Sequence, residues 1–300
     1  MMMQPLQGSF VALVTPMFPN GDLDYVSLKN LIDWQINKGI SGIVSVGTTG
    51  ESATVNVKEH IEIIEKTIEY TNGRVPVIAG TGANSTQEAI ELTQTANNLG
   101  ADYALVVTPY YNKPNQDGLI KHYLKIADEV NIPLILYNVP SRTACDLEPK
   151  TVSYLSAHPK IIGIKEAVDN EKRMDELLAI SKKLKDKKNF SILSGDDPTF
   201  NSFMEKGADG VISVAANIIP EDIAKICIFN LDKEFDKAID LNNKFLNLYD
   251  LLFVESNPIP VKWALEKMNK VESGIRMPLI QLNEVFREEI FKEMSKLELI

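Results

Sequence analysis

Eight short apolar runs recur along the first 214 residues of this 300-residue chain, and each is followed by a longer amphipathic stretch. The runs are Phe10–Thr15, Gly42–Val46, Val75–Ala79, Tyr103–Thr108, Ile132–Tyr137, Ile161–Lys165, Phe190–Ser194 and Gly210–Val214. They lack clean polar–apolar alternation, and near-continuous apolar runs suit parallel strands covered on both faces. The intervening stretches read as helices. In Lys58–Tyr70, Ile61, Ile64 and Ile68 form one stripe. Ser85 and Glu88 have the spacing of a capping box, in which each side chain satisfies the other residue's backbone N–H. Gly39, Gly100 and Gly207 stand where helices would end, which fits left-handed caps.

Eight successive βα units with right-handed crossovers close most simply into an α/β fold of the (β/α)8 (TIM) barrel class. The barrel is expected over residues 1–217. Residues 218–300 carry no strand signal and read as a C-terminal helical region, with helices near Pro220–Phe229, Lys233–Phe253, Pro258–Met268 and Pro278–Lys296. The rival fold is an open doubly wound sheet, which would carry a nucleotide fingerprint. Its one candidate, Gly80–Ser85 (GTGANS), has Ser85 where the third glycine belongs and reads as a tight turn into a helix.

Composition narrows the function classes. A formal net charge of −10 disfavours a nucleic-acid partner. No apolar run reaches the roughly 18 residues of a membrane span, and the first residues lack the basic and apolar segments of a signal peptide. Cys145 and Cys227 are far apart, which favours a reduced, cytoplasmic protein. His60, His122 and His158 are scattered, so no metal site is expected.

Active sites of such barrels lie at the C-terminal ends of the strands. Lys165 closes the sixth run, in the apolar segment IIGIK, pointing at the barrel interior. Desolvation there favours the neutral amine, which is a nucleophile toward carbonyls. The alternative is a structural lysine paired with Glu166 or a neighbouring carboxylate. Tyr137 ends the neighbouring fifth run, where its phenol is placed to move protons beside such an amine or to serve as a core tyrosine. GTTGES (Gly47–Ser52) follows the second run with two glycines, two hydroxyls and a carboxylate; it reads as an anion-holding turn or a capped βα turn. Arg142 stands in a loop at the barrel mouth, either as a bidentate carboxylate clamp or as a solvated charge. Tyr110 and Tyr111 are adjacent in an extended segment and therefore point opposite ways, leaving one to face a partner chain.

GTTGES, VTPYYNKP, LYNVPSRT, GIKEA, LSGDD and GVISV occur in an order and spacing that resembles the dihydrodipicolinate synthase family of pyruvate-dependent class I aldolases, related to the N-acetylneuraminate lyases. The resemblance covers about residues 8–217 and extends plausibly into the helical region. It implies a lyase that condenses pyruvate with L-aspartate 4-semialdehyde and cyclises the product, on the route to diaminopimelate and lysine. By the same resemblance Lys165 forms the Schiff base, Tyr137 moves the protons, and Thr48 links Tyr137 to a Tyr111 delivered by a neighbouring subunit. Thr49 holds the pyruvate carboxylate, Arg142 the semialdehyde carboxylate, and Gly195 and Ile212 shape the pocket through the backbone. No metal or organic cofactor is implied, because the lysine imine is itself the electron sink. A homotetramer, built as a dimer of tight dimers, is the usual assembly.

Some members are inhibited by lysine between subunits. The matching positions are Ser52, Ala53, His60, Asn84, Glu88 and Tyr110, with Val57 standing where enteric-type sensitive members have histidine. A sialic-acid or sugar-acid lyase of the same family, and a non-catalytic binding protein on this barrel, are the competing functions. Arg142 and Tyr111 argue against the first, and the joint presence of Lys165, Tyr137 and Thr48 against the second.

Overall fold

A computed structural model describes residues 6–300. The expectation about a signal peptide rests in part on residues 1–5, which lie outside the described residues. Eight strands follow one another: β1 (Gly8–Ala12), β2 (Gly42–Ser45), β3 (Val77–Gly80), β4 (Tyr103–Val107), β5 (Leu134–Asn138), β6 (Ile161–Glu166), β7 (Ser191–Ser194) and β8 (Gly210–Ser213). All neighbouring pairs are parallel, and β8 closes on β1 through Gly8–Gly210 to Val11–Ser213. The apolar runs are continuous because each strand is buried on both sides. Phe10, Val44, Ile78, Leu105, Ile135 and Leu193 fill the barrel, while Val11, Ile43, Ala79, Val106, Leu136 and Ile192 face the helices.

The helices are α1 (Tyr25–Asn37), α2 (Val57–Thr71), α3 (Thr86–Leu99), α4 (Gln116–Glu129), the single turn α5 (Pro140–Thr143), α6 (Pro149–Leu155), α7 (Glu171–Leu184) and α8 (Phe200–Glu205). After a 3-10 turn at Ala215–Asn217 come α9 (Pro220–Leu231), α10 (Phe235–Asn242), α11 (Leu246–Leu251), α12 (Ile259–Lys267) and α13 (Glu284–Lys296). Gly39, Gly100 and Gly207 have φ of 86°, 94° and 113°, the left-handed caps expected of them.

The structure corrects four local readings. The inward stripe of α2 is His60, Ile63, Ile64, Thr67 and Thr71, not Ile61, Ile64 and Ile68. Two of its polar members are hydrogen-bonded: His60 Nε2 lies 2.7 Å from the Gly80 carbonyl oxygen of β3, and the Thr67 hydroxyl donates to the Ile63 carbonyl at 2.7 Å. Ser85 Oγ accepts from the Glu88 N–H at 3.4 Å, but the return bond of a capping box is not formed. The full box stands one helix earlier, between Asn56 and Glu59. The stretch Lys233–Phe253 is two helices, α10 and α11. They break after Asn242, whose side-chain oxygen accepts from the Tyr249 hydroxyl across the break at 3.2 Å. Asn283 rather than Pro278 opens the last helix, its side chain accepting from the Val285 N–H.

α9 follows β8 and packs on β1, so it takes the position of the eighth barrel helix. The division expected after residue 217 thus cuts between the last strand and the helix that covers it. α10 packs on α9 and α8, α13 on α11, and α12 on the 3-10 turn after β8, while the segment before α12 reaches the C-terminal mouth of the barrel through Asn257.

Candidate active site

The pairing of β5 with β6 sets the site. Leu134 pairs with Ile161, but Ile135 pairs with Gly163, so Ile162 is one extra residue on β6. Beyond this bulge Tyr137 lies directly opposite Lys165; in unbroken register it would have faced Ile164. Bulges commonly re-aim side chains beside active sites. Both side chains then point into the barrel mouth, with Lys165 Nζ 4.4 Å from the centre of the Tyr137 ring and each residue only 6% exposed. Gly195, just after β7, makes room for the lysine. A Cβ there would lie 2.8 Å from Lys165 Cε, closer than carbon atoms approach without contact.

Glu166 does not pair with Lys165. It turns to the other side of the strand, where Arg173 Nε donates to it at 3.3 Å, and the Asn138 amide and the Val168 N–H also donate. Burial pushes its carboxyl up to about 7, with the Arg173 guanidinium the largest influence opposing that shift. Arg173 also ion-pairs with Asp146. The expected alternative partner of Lys165, Glu166, is thus engaged elsewhere.

The GTTGES turn follows β2 through a strained residue. Val46, β-branched, sits at φ 50°, and Glu51 at φ 59°. Thr49 is buried, and the Asn257 amide donates to its hydroxyl at 3.0 Å; Thr48 is half-buried. The Asn257 backbone carbonyl in turn accepts from Arg142 Nη2 at 3.3 Å. Arg142 is exposed on α5, and Ile212 is buried inside the barrel on β8. The mouth thus gathers an amine, a phenol, two threonine hydroxyls and a guanidinium, a set able to bind a small keto acid and activate its carbonyl.

One element of the expected relay stands apart. Tyr111 is 90% exposed at φ 73° on the loop after β4, and among the described residues no hydrogen bond joins Thr48 to Tyr137 or to Tyr111. Its neighbour Tyr110 faces the other way, into a cavity of about 290 Å³ that also takes in Ser52, Ala53, His60, Glu88, Thr48 and Arg142. Five of the six positions matched to a lysine site line this one cavity. Asn84 does not; its backbone carbonyl accepts from the Asn112 side chain at 2.7 Å. Burial lowers the His60 pKa against the opposing charge of Glu88, and burial followed by Glu88 raises that of Tyr110.

The profile of the dihydrodipicolinate synthetase family matches residues 5–297. The chain belongs to this family. Among its relatives, the 4-hydroxy-tetrahydrodipicolinate synthase of Stutzerimonas stutzeri is 50% identical over 291 residues, which is 97% of this chain and 98% of that protein. The same-named protein of Teredinibacter turnerae is 49% identical over 284 residues, 95% and 96% of the two chains. Of solved structures, the chloride-inhibited dihydrodipicolinate synthase of Acinetobacter baumannii complexed with pyruvate superposes with a TM-score of 0.94 at 49% identity, covering 98% of this chain and all of that one. The lysine-bound structure from Cyanidioschyzon merolae superposes at 0.93 with 32% identity, covering 99% of this chain and 100% of that one.

Sequence reasoning missed the residues that support the family's site from outside the motifs. Asn257 and Lys262 come from the helical region, more than 200 positions from the turn they contact, with no spacing to link them. Gly163 was the available sign of the bulge, since a Cβ there would lie 2.6 Å from the Ser191 carbonyl oxygen.

Proposed function

We infer that the chain is a lyase with 4-hydroxy-tetrahydrodipicolinate synthase activity, joining pyruvate to L-aspartate 4-semialdehyde in lysine and diaminopimelate biosynthesis. The observation that carries this reading is the buried Lys165–Tyr137 pair at the barrel mouth, in a chain about half identical to synthases over nearly its whole length. The Lys165 amine attacks the ketone carbon of pyruvate, water leaves, and a protonated imine forms. That imine draws electrons, so a methyl proton leaves to give an enamine, with Tyr137 as the proton carrier. The enamine carbon adds to the aldehyde, and attack of the substrate's own amine on the imine carbon closes the ring and frees Lys165. Thr49 holds the pyruvate carboxylate, Arg142 the carboxylate of the semialdehyde, and Gly195 and Ile212 bound the pocket.

Thr48 relays the proton through a Tyr111 that a second copy of the chain delivers; the near-complete exposure of Tyr111 supports this, since one chain leaves it away from the site. The assembly is a homotetramer made of two such dimers. Two free, buried cysteines suit the reducing cytoplasm, and among the described residues no helix is long and apolar enough to cross a membrane.

The test is pyruvate with borohydride, followed by a coupled assay with both substrates. A reduced pyruvate adduct on Lys165 and turnover of the semialdehyde are expected. An adduct with cleavage of N-acetylneuraminate and no turnover of the semialdehyde would point to the sugar-acid lyase reading instead.

Lysine is the regulatory ligand of the cavity lined by Ser52, Ala53, His60, Glu88 and Tyr110, with Asn84 beside it. Support comes from the shared cavity and from the Glu88 carboxylate, which is left free of the Ser85 N–H and is suited to a ligand amine. Isothermal titration with millimolar lysine should give binding heat and reduced activity. No heat and unchanged activity would contradict it.

A further inference from the structure

Glu51 is the carboxylate of the GTTGES motif, and none of the chemistry above uses it. Its side chain is fully buried, and it ion-pairs with Lys262 of α12, whose side chain is 5% exposed. The same ammonium donates to the Thr15 carbonyl at 3.0 Å, and the second carboxylate oxygen accepts from the Arg276 backbone N–H at 3.2 Å. Thr54 Oγ1 lies 3.5 Å from that oxygen. Every charged atom of the pair is therefore engaged, which is the condition under which a buried ion pair is tolerated.

The position of the pair matters more than its energy. Two residues before Glu51 is Thr49; five residues before Lys262 is Asn257, which donates to Thr49 and accepts from Arg142. The Thr15 hydroxyl donates to the Gly50 carbonyl at 2.7 Å and so ties the segment after β1 to the same turn. The turn itself sits in a strained conformation at Val46 and Glu51, which persists only where the surroundings over-determine it.

We propose that the Glu51–Lys262 pair is a positioning device for the reaction: it registers the C-terminal helical region against the strained GTTGES turn, so that Thr49 and Arg142 are set at the spacing the two substrate carboxylates require. Neither residue touches substrate. The proposal rests on the reading of Thr49 as the pyruvate ligand and adds the residues that hold it in place. It makes the helical region part of the catalytic unit rather than a cover for the barrel.

The experiment measures the fraction of Lys165 reduced with borohydride as pyruvate is titrated, in the whole chain and in Glu51→Gln and Glu51→Gln/Lys262→Met. The double variant removes both charges together, which avoids leaving one buried and unpaired. Both variants should melt cooperatively and label fully at saturating pyruvate, with the half-labelling concentration raised about tenfold, the equivalent of one well-placed hydrogen bond. Should the double variant not fold, Glu51→Gln decides alone, since it keeps the shape and an acceptor for Lys262. Folded variants that label at the wild-type pyruvate concentration overturn the proposal and leave the pair a purely structural one. Absence of labelling in the unsubstituted protein contradicts the Schiff-base reading instead, so the two failures are distinguishable.

Discussion

At the residue scale the site is a matter of which charges are partnered and which are left for ligands. Glu166 and Asp146 take Arg173, and Glu59 takes Arg276 in a bidentate pair at 2.6 and 2.7 Å. Among the described residues the Arg142 side chain makes one hydrogen bond, to a backbone carbonyl, and retains donors for a carboxylate. Arg142→Ala should therefore leave the pyruvate adduct on Lys165 intact while turnover with semialdehyde falls at least tenfold, as expected for the loss of a charged hydrogen bond. Normal turnover in the coupled assay would remove Arg142 from the clamp role.

A second residue-scale expectation concerns Asp197, in the SGDDP loop. Its carboxylate accepts from the Val214 and Ala215 N–H groups at 3.0 and 2.9 Å, and burial pushes it from 3.8 up to about 6. Between those values the folded chain keeps a proton that the unfolded chain has released. The stabilising contribution is thus full below the lower value and is lost as pH rises through the upper one. Melting temperature should fall from about pH 4 to about pH 6 more steeply in the wild type than in Asp197→Asn. Parallel profiles would mean that Asp197 is ionised in the fold throughout.

At the element scale the decisive irregularity is the bulge in β6. It uses one residue, Ile162, to turn the rest of the strand so that Lys165 meets Tyr137. Gly163, next to it, lies where β7 approaches most closely. Gly163→Ala should cost about 1–3 kcal/mol, the range for forced overpacking, read as a lower urea midpoint at constant slope, and should slow labelling of Lys165 as well. A variant with lower stability but normal labelling would separate the bulge from the catalytic pairing. The strands themselves were readable because two-sided burial writes itself as apolar runs. Their ends moved by up to three residues, since backbone pairing and not side-chain polarity decides where a ladder stops. The α2 stripe was misread because hydropathy ranks His60 and Thr67 as outward, while a bond to the β3 carbonyl of Gly80 and a bond within the helix let them be buried.

At the scale of the whole molecule, the barrel and its strand-end motifs were legible in the sequence, and the contribution of the C-terminal helices was not. The motifs that carry Lys165, Tyr137 and Thr49 are local, each placed by the strand before it. Asn257 and Lys262 act across the fold, and only the closed structure brings them to the GTTGES turn. We propose that residues 218–300 form one folding unit with the barrel, with α9 as its eighth helix and the later helices bracing the mouth. A net charge of −10 gives no overall attraction for an anionic keto acid, so we propose that capture of the substrate carboxylates falls to Arg142 and the hydroxyl and backbone donors at the mouth.

The central claim is that Lys165 is the covalent nucleophile. Incubation with pyruvate and borohydride, then peptide mass mapping, should find one reduced pyruvate per chain, on Lys165, and none in Lys165→Ala. An unmodified Lys165, or an adduct that persists in Lys165→Ala, would contradict the account.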